Sequence, residues 1–384
     1  MRVLPILMGL LCAFLSAPVA NAVAGADSVS FGDRQVLTVT SLADTGPGSL
    51  RAVIESSSGP RDIVFSVGGI IDLRAPLTIR SGNLRILGES APAPGITLRG
   101  NTLEIKRGRV FISHIAVRIG PGVPGRNADN RDGISVSGSP DLANCTGQRH
   151  VAHVVIDHVS VVWAVDENVQ LWGCNIRKVT VSNSIIAEGL NNAGHSKGPH
   201  SMGFLVGIGA RDVLIYNNLF VSNRWRNPAL HADTTSAVIN NLIHNPGGNA
   251  IHLYKGRNGQ PTKVSMVGNL VIGGPSSATR LAMGHTRKNA VNPGSQIYMF
   301  GNLMEGNIMP FAIDEVAGLQ RMQAPPVAWP DDLVILSPYR LEESLLRMVG
   351  PQYRDETDMR LIEEVRQRGG SIKDVPPPQE WARP

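Results

Sequence analysis

Aromatic residues are scarce in this 384-residue chain, at 5%, and charged residues make up only 17%, against roughly 25% in an average soluble protein. A chain so poor in Glu, Lys and Arg does not read as a helical bundle or coiled coil. Hydrophobic residues still reach 42%, which excludes a disordered chain, whose Val, Ile and Leu would be depleted. Cysteine is limited to Cys12, Cys145 and Cys174, and no Cys/His spacing resembles a zinc site. No block of five or six like charges occurs, so the net charge of +5 is spread thinly. That mild basicity suits an acidic partner without choosing between a polyanionic glycan and a nucleic acid. After residue 15 no apolar run is long enough to span a bilayer.

What is plentiful is glycine, with 41 residues, and proline, with 26. Gly shows no period of three, so collagen is excluded. High Gly and Pro beside abundant Val and Ile means many short strands and many turns. The N-terminus has the pattern of an export leader. Arg2 is followed by an apolar run over 4–15, and Ala20-Asn21-Ala22 is a small-x-small cleavage site. Residues 1–22 are therefore expected to be removed and the product secreted or periplasmic. An oxidising compartment allows a disulfide between Cys145 and Cys174; two unpaired buried thiols are the alternative.

One short motif recurs along the chain: two or three apolar residues, an Asn, His or Gly, then apolar residues again. Ile112-Ser113-His114-Ile115, Val181-Ser182-Asn183-Ser184, Val238-Ile239-Asn240-Asn241 and Met299-Phe300-Gly301-Asn302 are examples. Its third position falls at 114, 158, 183, 217, 240, 268 and 301, at intervals of 44, 25, 34, 23, 28 and 33 residues. Intervals of this size, rich in β-branched residues, predict a β-solenoid with loops inserted where the interval is longest. Asn at the bend has a physical reason. It tolerates the left-handed conformation, and its amide can bond to an Asn on the next rung. Past residue 305 the pattern gives way to a Pro-rich stretch over 310–338. Helical spacing follows over 341–349 and 355–368, with Leu361, Ile362 and Val365 on one face and Gly369-Gly370 as a stop. The expected organisation is a solenoid over 23–305 and a tail over 306–384 packed along it.

Several segments, in their order along the chain, resemble polysaccharide lyase family 1, the pectate lyases and their bacterial relatives. They are the entry segment over 37–51, Asp62-Ile63-Val64-Phe65 with Gly68-Gly69-Ile70-Ile71-Asp72-Leu73, and Ile156-Asp157-His158. Asp166-Glu167-Asn168, His195-Ser196-Lys197-Gly198 and Asn223-Arg224-Trp225-Arg226-Asn227-Pro228 follow, then Val349-Gly350-Pro351 and Asp358-Met359-Arg360. The resemblance implies an all-β fold, a single-domain right-handed parallel β-helix with an irregular and helical C-terminal tail. This agrees with the repeat. It further implies β-elimination on a polyuronate such as polygalacturonate, assisted by Ca²⁺. The implied partner is an acidic polysaccharide, with no nucleic acid, no membrane span and a monomeric chain.

Such an elimination must remove a weakly acidic proton next to a carboxylate, so the carboxylate has to be neutralised. A Ca²⁺ ion does this as a Lewis acid, and Lys or Arg adds electrostatic stabilisation. In period-two spacing Asp166, Asn168 and Gln170 share one strand face and Glu167 the other. Asp132, with Asn130 two residues before it, resembles the family's Asp-x-Asp position. The expected metal ligands are thus Asp132, Asp166, Gln170 and Asn130, two acids and two amides. Arg226 opens Arg226-Asn227-Pro228-Ala229-Leu230-His231, which is similar to the family's Arg-x-Pro-x-x-Arg, and is the expected catalytic residue together with Lys197. His231 replaces the final Arg and adds a group that titrates near neutrality. Arg224, spaced for the same strand face as Arg226, is expected to bind a uronate carboxylate, with His195, His200 and His231 also lining the substrate site. Two further readings stay open: a lyase for another uronate polymer, and a β-helix that binds glycan without turnover.

Overall fold

The computed structural model describes residues 34–121, 127–141, 149–256, 259–279 and 281–381. The expected leader over 1–22 and Cys145 lie outside them; Cys174 is disulfide-bonded. Three sheets form the walls of a coil. One has eleven strands, from Gln35–Val39 to Ala317–Arg321. A second has eight, from Leu77–Ile79 to Gly284–Thr286, and a third has nine, from Gly69–Asp72 to Leu303–Glu305. Strands pair in parallel with the equivalent strand one rung away. The chain visits the eleven-, nine- and eight-stranded sheets in turn, which makes a parallel β-helix.

The repeat builds the core. Ile112, Ile156, Val181, Ile215, Val238, Met266 and Met299 stand in register on seven successive rungs. All but Met299 are fully buried. A β-branched or unbranched apolar side chain at each such position removes its surface from water, worth about 1.5–3 kcal/mol per residue.

The bend after each of these strands divides its work between two neighbouring residues, where the sequence reading gave both tasks to one. His114, His158, Asn183, Asn217, Asn240, Gly268 and Gly301 take the left-handed conformation, with φ between 49° and 65°. The next residue builds the ladder. The Asn241 carboxamide oxygen accepts from the Asn218 amide N–H at 3.0 Å, Asn269 does the same for Asn241 at 3.0 Å, and Asn302 for Asn269 at 3.0 Å. Asn218 and Asn241 also donate through Nδ2 to the next carboxamide, each at 3.0 Å. A buried amide stacked this way has every donor met, where an unmet one would cost about 1–3 kcal/mol.

The eleven-stranded sheet does not stop at residue 305. Ala290–Phe300 still pairs with Ala317–Arg321, so the coil extends a rung further than the spacing of the repeat predicts. Helices Pro338–Met348 and Glu356–Arg366 follow. Asp355 caps the second by accepting from the Asp358 N–H at 2.9 Å. Leu341, Leu345, Leu361, Ile362 and Val365 bury against Val162, Ile185, Leu219, Leu242 and Leu270 of the nine-stranded sheet. The tail therefore covers the outside of that sheet and leaves the corner between the nine- and eight-stranded sheets to carry loops.

Candidate active site

At that corner five successive rungs leave the nine-stranded sheet through another left-handed residue: Gly120, Trp163, Glu188, Ser222 and Asn245. The loops that follow bring the chemistry together. Asp132, Asp166 and Glu167 are all buried, and one carboxylate oxygen from each lies within 4.8 Å of the others. Asp166 is held by its own backbone, since the Arg131 carbonyl accepts the N–H groups of Val165 and Asp166 at 3.1 and 3.2 Å. Asp132 Oδ1 accepts from the Glu167 N–H at 3.4 Å. Three buried carboxylates that close together repel one another unless a cation sits among them. Part of that charge is met by Arg226, whose Nη1 forms an ion pair with Glu167 Oε1. The donor set is all hard oxygen, which fits a calcium-like ion.

Two of the expected ligands are elsewhere. Asn130 is exposed in a short 3-10 turn and donates to Asn127 Oδ1 at 2.7 Å. Gln170 pairs in register with Ser135 and Leu205, about 10 Å along the strand from Glu167. Asn168 spends its amide on Ala187 O at 2.9 Å and Asn223 Oδ1 at 3.0 Å. The period-two spacing misleads because the strand begins at Glu167. Asp166 belongs to the corner, so alternation does not reach it, and Glu167 joins the acids. The adjacency of Asp166 and Glu167 was the available signal.

A second cluster shares Asp166. His200 Nε2 lies 2.9 Å and His195 Nε2 3.3 Å from its Oδ1, and the two rings stack at 3.7 Å between centroids. The Lys197 N–H donates to His195 Nδ1 at 3.1 Å. The neutral His195 ring therefore carries its proton on Nε2, facing Asp166. Burial, and then His200, push the His195 pKa down. The loop is pinned at Ser196, whose N–H and hydroxyl both donate to Asp129. Asp129 had no signal in the sequence reading. Lys197 stays exposed on this loop.

Arg226 has a φ of 64° and a side chain only 17% exposed, and its guanidinium lies 6.0 Å from the Tyr254 ring centre. Its Nε is buried without a hydrogen-bond partner among the described residues. Arg224 does not share a strand face with it. The segment makes only an isolated bridge at Trp225, and Arg224 Nη1 donates to Asn191 Oδ1 at 3.2 Å. Trp225 packs closely over Gly248, where a Cβ would come within 2.5 Å of the indole. His231 stands between Trp172 and Tyr254, at 6.4 and 4.9 Å between ring centroids. Burial, and then Arg226, bring its pKa down to about 4. It is therefore neutral at pH 7, not a group titrating near neutrality. His252, beside Trp225 and Tyr254, is brought down to about 3 by burial. His158 stacks on His114 at 4.8 Å, away from this site.

No protein-family model matches the chain. Among curated proteins it is similar to the probable pectate lyase C of Aspergillus flavus, at 32% identity over 268 residues, 69% of this chain and 57% of that one. It matches the probable pectate lyase C of Aspergillus fumigatus at 28% identity over 362 residues, 91% of this chain and 77% of that one. The chain thus spans little more than half the length of the first of these relatives. Among solved structures its fold is similar to jun a 1, the major allergen from cedar pollen, with a TM-score of 0.59, 16% identity and coverage of 83% and 88%. It is also similar to a pectate lyase of Bacillus sp. N165 in complex with trigalacturonate, with a TM-score of 0.58, 13% identity and coverage of 84% and 94%. With its rung-by-rung coil and the sequence likeness to proteins named pectate lyase C, the chain belongs with the pectate lyase-like parallel β-helix proteins.

Proposed function

We propose that the protein is an exported polysaccharide lyase that cleaves a polyuronate, polygalacturonate in the first instance, by β-elimination. The supporting observation is the buried Asp132, Asp166 and Glu167 trio joined to Arg226 through the Glu167 ion pair. These three carboxylates would hold Ca²⁺, which when bound supplies Lewis-acid neutralisation of the substrate carboxylate. Arg226 faces the uronate, and its Nη1 takes the C5 proton as that nitrogen passes one of its own protons to its ion-pair partner Glu167 Oε1. The C5–H electrons form the C4–C5 double bond, the C4–O bond breaks, and the leaving oxygen takes a proton from water. Lys197, exposed on its pinned loop, binds a uronate carboxylate, with Arg224 as a further cation in reach of the polymer. His200 Nε2, 2.9 Å from Asp166 Oδ1, holds that carboxylate, and His195 stacks on the His200 ring.

Export rests on the leader pattern in residues 1–22. No helix of the described residues is long and apolar enough to cross a membrane. The test is an ultraviolet assay for unsaturated oligouronides on polygalacturonate, with Ca²⁺ and with chelator. Product that falls on chelation supports the reading. Absence of product from every polyuronate overturns it. A second reading, a lyase for another uronate polymer, is favoured by His231. A neutral ring between Trp172 and Tyr254 cannot neutralise a uronate carboxylate as a guanidinium would. A panel of uronate polymers separates the two.

A further inference from the structure

Beyond the second tail helix, residues 369–374 cross the corner that carries the site loops. The Gly369 carbonyl accepts from His244 Nε2 at 2.8 Å, and the Ile372 N–H donates to Ser276 Oγ at 3.2 Å. Ile372 and Arg224 both pack on Gly247, where a Cβ would come within 2.4 Å of Ile372 Cδ1 and 3.1 Å of Arg224 Cα. The Lys373 carbonyl accepts from the Asn191 N–H at 2.8 Å. In six residues the tail thus reaches the turns that follow four successive strands of the nine-stranded sheet, Ile185–Ala187, Leu219–Val221, Leu242–His244 and Leu270–Ile272.

Asn191 is where this crossing meets the site. Its carbonyl accepts from the His200 N–H at 2.7 Å, and its Oδ1 accepts from Arg224 Nη1 at 3.2 Å. Its Nδ2 donates to Asp374 Oδ1 at 3.2 Å. The same Asp374 oxygen accepts the Asn192 N–H at 3.1 Å and Asn192 Nδ2 at 3.0 Å. A carboxylate only accepts and a guanidinium only donates. The Asn191 amide between them therefore has one satisfied orientation, Nδ2 toward Asp374 and Oδ1 toward Arg224. Arg224 has no carboxylate partner among the described residues, and Asn191 Oδ1 is the one hydrogen-bond acceptor of its guanidinium there. A neutral amide thus aims the cation without neutralising it, and leaves its charge for an anion.

We propose that Asp374 is a positioning residue for substrate binding: through the Asn191 amide it holds Arg224 in the direction that meets a uronate carboxylate. The inference rests on the polyuronate reading above. A carboxylate near an acidic polymer also repels it, so the two effects of Asp374 have opposite signs. Positioning strengthens the hold on the polymer, and bare charge weakens it.

The test is KM and kcat on polygalacturonate for Asp374→Ala and Asp374→Asn, with thermal unfolding as the check that both fold. Asp374→Ala should raise KM several-fold with kcat near that of the parent, although a negative charge has been removed. Asp374→Asn should stay close to the parent, because a single carboxamide oxygen can accept the same three hydrogen bonds. In an Arg224→Ala background, where KM is already raised, Asp374→Ala should add little. Asn191→Ala is a second way to break the link. It should raise KM as Asp374→Ala does, and the two together should do no more than either alone. A fall in KM in both Asp374 variants means charge repulsion alone and overturns the proposal. So does an unchanged KM in Asp374→Ala and Asn191→Ala, or a rise that persists in full without Arg224. In each of these cases the parent still cleaves the polymer, and the lyase reading stands. Failure of the parent to cleave any polyuronate overturns both.

Discussion

Two corners of the same coil behave oppositely. Between the eleven- and nine-stranded sheets, from Val110–Ser113 onward, only one or two residues separate the strands. Between the nine- and eight-stranded sheets the gap ranges from three residues, over 100–102, to fifteen, over 119–133. Both corners start from a left-handed residue. The first then stacks Asn on Asn and holds the rungs in register. The second releases loops, and Asp132, Asp166, His195, Lys197, His200, Arg224 and Arg226 all fall in them. Register fixed at one corner is what lets loop length vary at the other, because a one-residue slip would turn the apolar face outward.

The sharpest way to break this division is Arg226→Ala. The lyase rate per folded molecule should fall by about 10²–10³-fold or more, and the denaturant midpoint should fall as well, because Glu167 is left buried without its ion pair. The mirror experiment is Asn241→Ala. It strips the acceptor from both the Asn218 N–H and the Asn218 Nδ2, while Asn269 keeps the backbone N–H of residue 241. Stability should drop by about 3 kcal/mol, read by chemical denaturation, with the rate per folded molecule unchanged. A pH titration compares the two sides next. His231 and His252 are held neutral in the fold, at about 4 and about 3, whereas in the unfolded chain each takes a proton near pH 6.5. Their contribution is present above pH 6.5 and is lost as the pH falls toward 4. His252→Gln should flatten that loss, seen as a smaller change in the denaturation midpoint between pH 7 and pH 4.5. The smallest effect is Asn217→Ala, which puts a β-carbon with no amide at a φ of 55° and should cost about 1 kcal/mol.

The same division decided what could be read from the sequence. Its uniform corner repeats, so the bends from His114 to Gly301, and with them the coil, were legible from spacing alone. The tail helices were legible from the placing of Leu361, Ile362 and Val365. Their face is apolar because it buries on Val162, Ile185 and Leu219. At the variable corner no periodicity applies. Asp132, Asp166 and Arg226 could be singled out by resemblance, but alternation separates Glu167 from Asp166, which lies just before the strand where alternation does not apply, and the two acids meet. Asn130 and Gln170 were chosen by position in a motif, and the turn at 128–130 and the strand itself carry them elsewhere. The neutrality of His231 comes from burial beside Arg226, a tertiary fact with no local trace.

The most direct measurement is the ultraviolet lyase assay on polygalacturonate with Ca²⁺, run on the parent and on Arg226→Ala at matched folded concentration. The account predicts unsaturated product from the parent and a loss of about 10²-fold or more in the variant. Equal rates from the two proteins would contradict it, because the chemistry would then lie outside the loops of the variable corner.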